Sequence, residues 1–379
     1  MDYEISQRQE TLREEAVKFI QAEFPRDLPP GWMKAFLPKV NRANLLGIAV
    51  DRRYGGQGHD FLTAELIVEA IGARDWFAAA MVTYLNSLVI QPLALGGSEA
   101  QKKKWLVPAL KGELLSAYAL TEPDAGSDAA ALKASAELRG SEWILNGRKI
   151  FITSADEAEY CVIFARTDPP QAGHPSSGIS AFFVETGQLG YQVLQRMPTM
   201  GLEGSPTCEL RLENVRAPAD NLLGKRGAGF EIAMRALNVG RIGVGGTAIG
   251  ASDWAIRETI GFLKGRQQFG QPLSEFQGIR FTITDLKCEL EGARQIVRRA
   301  AWKLGQGKNG ATEVAMAKLV ATELAVKIGI ECQRLMGGYG YLRSQQIERM
   351  VRDCIAFSIY EGTSNVQRLT IAKELFDRC

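Results

Sequence analysis

The segment Ile359–Arg368, IYEGTSNVQR, sets one carboxylate, Glu361, between a tyrosine and a Gly-Thr-Ser turn, after a stretch of helical periodicity. A carboxylate so placed can accept a proton from a substrate, or it can simply end a solvated helix. The segment alone allows both. Histidine content narrows the choice: His59 and His174 are the only two, both in Gly-containing loop sequence. An HExxH zinc site is therefore excluded and a Ser-His triad disfavoured, so a general base falls to a carboxylate, Lys or Tyr. No metal site is expected.

Other segments could hold a ligand. YALTEPDAGSD (118–128) ends a strand-like run in a turn rich in hydroxyls. Its backbone amides could form a nest for an anion or an electron-rich ring edge, and an ordinary connection capped by Ser127 or Asp128 reads equally well. RQQFGQPLSEFQ (266–277) sets a cation, an aromatic and an amide around a turn. Arg266 could meet phosphate and Phe269 could pack on a ring, or the turn could merely cap the next helix. RLMGGYGYL (334–342) is a Gly-rich helix end, weak by itself as a phosphate loop. GVGGTA (243–248) has the G-x-G-x-x-A spacing but sits in a helical pattern with no preceding strand, so it reads as close helix packing through small residues.

The elements that must position these residues change in period along the chain. Residues 1–115 read as helical, with Leu12, Ala16, Phe19 and Ile20 on one face and two further apolar helices at about 61–74 and 75–95. Residues 116–225 read as a β domain: EWILNGRKIFIT is expected to be a hairpin turning at Asn146-Gly147, and Cys208, Leu210 and Leu212 alternate on one strand face. From 226 to 379 the 3.6-residue period returns; Phe276, Ile279, Ile283, Leu286, Leu290 and Ala293 mark one long helix of an expected four-helix bundle. The class is α+β, in the order α, β, α.

Composition is that of a globular protein, 46% apolar and 23% charged, and a net charge of +2 offers no field for nucleic acid. The start is polar and no apolar run is expected to reach the roughly 20 residues that span a bilayer, so no membrane association is expected. Six cysteines without a CxxC pair suggest reduced thiols in a cytoplasmic protein.

Taken together, YALTEPDAGSD, NGRKIFIT, RQQFGQPLSEFQ, LMGGYGYLRS, RMVRDCIAFSIYEGTSNVQR and the α–β–α order resemble the acyl-CoA dehydrogenases over essentially the whole chain. The resemblance implies a helical domain, a β-barrel-like middle domain and a four-helix bundle. It also implies FAD and oxidation of the Cα–Cβ bond of an acyl-CoA thioester to the trans-2-enoyl-CoA. Glu361 matches the base that takes the α-proton while hydride passes to flavin N5. Tyr118, Leu120, Thr121, Gly126 and Ser127 match the segment lining the flavin ring, with Phe151, Ile152 and Thr153 covering its other side. Arg266, Phe269, Gln277, Arg334, Gly337 and Gly338 match residues reaching the FAD of a neighbouring subunit, and Thr363 and Asn365 those near its pyrophosphate and adenosine. Ser127, Asn238, Arg241, Tyr360, Gly362 and Lys373 fall at acyl-CoA positions. The implied partners are an electron-transferring flavoprotein and further copies of the chain, as a homotetramer built from dimers, with a place in β-oxidation.

Arg334, Phe151 and Ser154-Ala155 depart from the family's usual Gln, Trp and Asn-Gly. Ala79 stands about where decarboxylating relatives carry an Arg, which removes a second carboxylate from the expected substrate; a short-to-medium, branched or cyclic acyl group is expected, with Met81 and Tyr84 limiting depth. Flavin monooxygenases on this fold generally lack the YEGT carboxylate, and a non-catalytic scaffold would be expected to lose it or the FAD segments; neither is lost here. Some relatives instead place their Glu just before the buried Arg, and Gly240 occupies that position here.

Overall fold

The structure is a computed structural model that describes residues 5–25, 27–307 and 310–377. Cys379, and the outer ends of the first and last expected domains, lie outside them.

The N-terminal helices begin where short polar side chains take up free amides. Ser6 and Gln9 form a reciprocal capping box on Gln7–Glu23. Asp60 accepts the Thr63 N–H at 2.7 Å to start Phe61–Gly72, and Asp75 accepts the Ala78 N–H at 2.9 Å to start Trp76–Tyr84. The last helix widens into a π turn, Leu85–Val89, and resumes as Gln91–Gly96. One expectation is corrected here. Trp76–Gly96 is 21 residues, long and apolar enough by length and composition to cross a membrane, yet most of it is buried inside the protein. Its apolarity is that of a core helix, touched on all sides.

The middle of the chain forms an eight-stranded sheet. In spatial order the strands are Tyr191–Arg196, Thr207–Pro218, Glu142–Thr153, Ser135–Arg139, Tyr160–Arg166, Ile179–Glu185 and Leu222–Leu223, with Ser116–Ala119 parallel to Tyr160–Arg166. Cys208, Leu210 and Leu212 are buried as their alternation requires. The expected hairpin at Asn146-Gly147 is wrong. Glu142–Thr153 is one strand of 12 residues, and the ladder to Thr207–Pro218 slips between Leu145 and Gly147 in a bulge. The actual turn lies at Gly140, where φ is 63°, and Arg139 pairs with Glu142. An Asn-Gly pair serves a bulge as readily as a turn, because both need a backbone that glycine tolerates.

The C-terminal helices Gly229–Gly265, Gln277–Gly305 and Ala311–Leu335 pack together, and Gln346–Phe357 and Ser364–Asp377 complete the bundle. Gly229–Gly265 is buried nearly all round between Gly240 and Ser252 because Phe61–Gly72 covers its other side. GVGGTA lies inside this helix. A Cβ at Gly250 would fall 2.3 Å from the Glu69 carbonyl oxygen, and one at Gly246 would meet Glu65 at 3.3 Å. Close backbone approach thus offsets the roughly 1 kcal/mol that each helical glycine costs relative to alanine.

Charged contacts join the three parts. Glu69 accepts from Arg294 at 2.9 Å and from Arg298 at 3.1 Å. Asp353, 1% exposed, accepts the Trp76 indole N–H at 2.8 Å and the Leu202 backbone N–H at 2.6 Å, which ties the core helix and a sheet loop to the helix that leads into Glu361. Asp353→Ala would leave the half-buried Leu202 amide and the buried Trp76 indole without this acceptor, the indole at about 1–3 kcal/mol. A clearly lowered melting temperature and faster proteolysis within 197–206 are expected; an unchanged melting curve would show that the junction holds without it.

Candidate active site

Gln346–Phe357 ends at Ser358, and the chain turns through Tyr360, Glu361 and Gly362 before Ser364–Asp377 begins. Thr363 caps that helix, its hydroxyl accepting the Val366 N–H at 3.3 Å. The turn needs left-handed backbone at two successive residues: φ is 55° at Glu361 and 94° at Gly362. Glycine takes that conformation freely, whereas a glutamate does so at a cost met by its surroundings.

Those surroundings are two buried cations. Arg241 donates from Nε to the Glu361 carbonyl at 2.9 Å, and Asn238 orients the guanidinium by accepting from Nη1 at 2.9 Å. Lys318, 0% exposed, donates from Nζ to the Gly362 carbonyl at 2.9 Å. Gln367 Nε2 also reaches that carbonyl, at 2.8 Å. Both carbonyls are held, while the carboxylate is not: Glu361 Oε2 is buried with no hydrogen-bond partner among the described residues. The Glu361 backbone N–H also donates to nothing among them.

The carboxylate lies against Gly240. A Cβ added there would come within 2.2 Å of Oε2 and 2.5 Å of Oε1. Glycine in mid-helix is thus explained by the space the carboxylate takes. Burial pushes the Glu361 carboxyl up to about 7, against the opposing pull of Arg241 and then Lys318. Burial likewise pushes Lys318 down to about 8, opposed mainly by Glu361. Tyr118 is raised by burial and by the Glu361 charge, and its hydroxyl donates to the Ala233 carbonyl at 3.3 Å.

A second group of residues converges around 118–127 and 151–153. Lys149, fully buried, donates to the Leu120 carbonyl at 3.0 Å and to Glu122 at 2.8 Å. Glu122 in turn accepts the Lys133 and Ala134 amides, and the Ile150 N–H donates to the Thr121 carbonyl at 3.0 Å. The loop is therefore pinned from beneath. Gly126 and Ser127 stay exposed, and a Cβ on Gly126 would meet only Thr121 Cγ2 at 3.9 Å. Ile152 is buried, whereas Phe151 stands out at 62% exposure on left-handed backbone, φ 60°. The hydroxyls of Thr121, Ser127 and Thr153 make no hydrogen bond within the chain among the described residues. Tyr84 joins the core helix to this region through the Ser116 carbonyl at 3.1 Å and the Thr153 carbonyl at 3.2 Å.

The remaining sequence-selected residues lie apart. Arg266, Phe269, Gln277, Arg334, Gly337 and Gly338 are all exposed. Gln267–Gln268 and Gln271–Pro272 pair across a turn with φ of 53° at Phe269 and 80° at Gly270, and Arg266 stacks on Tyr339 at 5.4 Å. No hydrogen bond, ion pair or ring contact ties this cluster to the Glu361 turn among the described residues. Asn365 and Lys373 are exposed on Ser364–Asp377, and Tyr360 packs edge-on against Phe357 at 6.0 Å. Sequence reasoning missed Lys149, Glu122 and Lys318. The signal for Lys318 was a lone cation in the apolar stripe of Val314, Ala317, Ala321 and Ala325.

Three units of the chain thus converge on a buried carboxylate oxygen that has no hydrogen-bond partner among the described residues. The sequence matches the acyl-CoA dehydrogenase N-terminal domain over 6–113, the middle domain over 117–215 and the C-terminal domain over 227–376. It is 37% identical to "Acyl-CoA dehydrogenase, short-chain specific" from Clostridium acetobutylicum, over 99% of this chain and 100% of that one. It is 38% identical to "Caffeyl-CoA reductase-Etf complex subunit CarC" from Acetobacterium woodii, over 94% of this chain and 91% of that one. The solved structure of butyryl-CoA dehydrogenase from Megasphaera elsdenii superposes with a TM-score of 0.92 at 35% identity, covering 99% of this chain and 100% of that one. The chain belongs to the acyl-CoA dehydrogenase family and is an FAD-dependent acyl-CoA oxidoreductase. The free hydroxyls and open backbone of the 121–127 loop, together with the exposed Phe151 ring, fit that cofactor.

The contact with Gly240 can be tested directly. Gly240→Ala should push the Glu361 carboxylate aside and lower substrate-driven flavin reduction on the order of 10²-fold, since small misplacement of a reacting group is costly. Flavin content should be unchanged. Full activity in this variant would place the reacting carboxylate elsewhere.

Proposed function

We propose that this protein oxidises the Cα–Cβ bond of a short-to-medium acyl-CoA thioester to the trans-2-enoyl-CoA, with Glu361 as the base. The observation that carries this reading is the buried Glu361 Oε2, which has no hydrogen-bond partner among the described residues. A buried carboxylate oxygen left without donors keeps its affinity for a proton, and a value of about 7 suits proton abstraction at neutral pH.

In this mechanism Glu361 takes the α-proton and becomes neutral. The Glu361 backbone N–H, which has no acceptor among the described residues, donates to the thioester oxygen and stabilises the charge that develops there. Tyr118, Leu120, Thr121, Gly126, Ser127, Phe151, Ile152 and Thr153 would hold the flavin. When bound, FAD supplies the two-electron acceptor for the hydride leaving the β-carbon. Arg241 and Asn238 keep the base turn in place, and Tyr360 and Gly362 flank the acyl group. Ser127, Asn238 and Lys373 would contact CoA. Buried Met81 and Tyr84 favour a chain of limited length, consistent with the short-chain and butyryl-CoA relatives.

The exposed apolar surface of Phe269 (93%) and Tyr341 (84%), beside Arg266, Arg334, Gly337 and Gly338, suits burial against a second copy of the chain, in a homotetramer. Thr363, Asn365 and Gln277 would complete a shared FAD site there. An electron-transferring flavoprotein is the proposed acceptor, in keeping with the relative named for an Etf complex. The five described cysteines are all free thiols, which suits a reducing cytoplasm. β-Oxidation is the proposed setting.

Glu361→Gln should keep its flavin, while anaerobic bleaching by butyryl-CoA slows at least about 10²–10⁴-fold. In the unaltered protein the bleaching rate should rise with pH through about 7, because Glu361 must first lose its own proton. A Gln variant that retains most of the rate would remove Glu361 from the mechanism.

A further inference from the structure

Lys318 is fully buried in an apolar helix stripe, and its one described hydrogen-bond acceptor is the Gly362 carbonyl, at 2.9 Å. A buried ammonium is costly unless an anion lies near. That anion is Glu361, with Glu323 a weaker contributor. The hydrogen bond alone does not explain the lysine, because Gln367 Nε2 already donates to the same carbonyl at 2.8 Å. What Lys318 adds is charge.

We propose that Lys318 is a positioning residue for the base: its ammonium braces the Glu361-Gly362 turn and supplies a buried positive charge that favours the ionised carboxylate. This rests on Glu361 being the base. The charged and titratable groups that face Glu361 are Arg241 from Gly229–Gly265, Lys318 from Ala311–Leu335, Tyr118 from Ser116–Ala119 and its own neighbour Tyr360. The two tyrosines are raised by burial and remain neutral near pH 7. The two cations therefore oppose the desolvation of the carboxylate. With Arg241 permanently charged, Lys318 is the adjustable one, since it loses its own proton near pH 8.

The test uses the flavin-loaded enzyme and two variants. Lys318→Met removes both charge and donor, whereas Lys318→Gln keeps a donor for the carbonyl and removes only the charge. The rate of butyryl-CoA-driven flavin reduction is followed against pH. In both variants the rising limb should move upward by about one pH unit or more. At pH 7, where the unaltered carboxylate is about half ionised, the rate should fall about fivefold for a shift of one unit and about fiftyfold for two. The high-pH plateau of Lys318→Gln should approach that of the unaltered enzyme. A purely structural lysine would depress the plateau and leave the limb in place, and that result overturns the proposal. Loss of flavin from both variants also overturns it, by assigning Lys318 to folding. If Glu361→Gln stays active, the premise fails. If Glu361→Gln is inactive and the limb is unmoved in the Lys318 variants, only the present inference fails.

Discussion

The arrangement on which the rest of this structure turns is a carboxylate that has no hydrogen-bond partner among the described residues. Glu361 sits on left-handed backbone, its turn fixed through carbonyl oxygens by Arg241 and Lys318 rather than through its own side chain. Had either cation bonded the carboxylate directly, the group would have been stabilised as an anion and weakened as a base. Holding the peptide instead separates two requirements. Position comes from the carbonyl bonds, and basicity comes from burial that the nearby charges only partly offset.

Meeting both requirements takes all three parts of the chain. Gly229–Gly265 brings Arg241 and the bare backbone of Gly240, Ala311–Leu335 brings Lys318, and the sheet brings Tyr118. Asp353 secures the helix leading into the turn by accepting from Trp76 and Leu202 at once. Lys149 and Glu122 do comparable work beneath the 120–127 loop. In each case a buried charge is paired, and the paired charge fixes backbone rather than a substrate. Among the described residues, the carboxylate left without a hydrogen-bond partner at the site is Glu361, the group proposed to do the chemistry.

Much of this was legible in the sequence, for identifiable reasons. Glu361 is set off by its turn residues and by the scarcity of histidine, and Gly240 is conspicuous because glycine is a poor helix former. The small residues of 243–248 read correctly as packing because no strand precedes them. Other features could not be read. Asn146-Gly147 signals a turn and a bulge alike, and the neighbouring strands decide which forms. Trp76–Gly96 holds enough apolar residues to pass for a membrane span, and burial by tertiary partners is what identifies it as core. Lys318 and Lys149 look like any solvated lysine until the fold buries them, since their partners lie 44 and 27 residues away.

A side chain at Gly240 would enter the space that the Glu361 carboxylate fills, so the carboxylate can be moved from one position to the other. Glu361→Gly should be nearly inactive in flavin reduction by butyryl-CoA, and adding Gly240→Glu should restore a measurable part of the rate. Rescue should be incomplete, because the relocated base meets the α-proton from a different angle. A folded, flavin-loaded double variant no faster than Glu361→Gly would contradict the account.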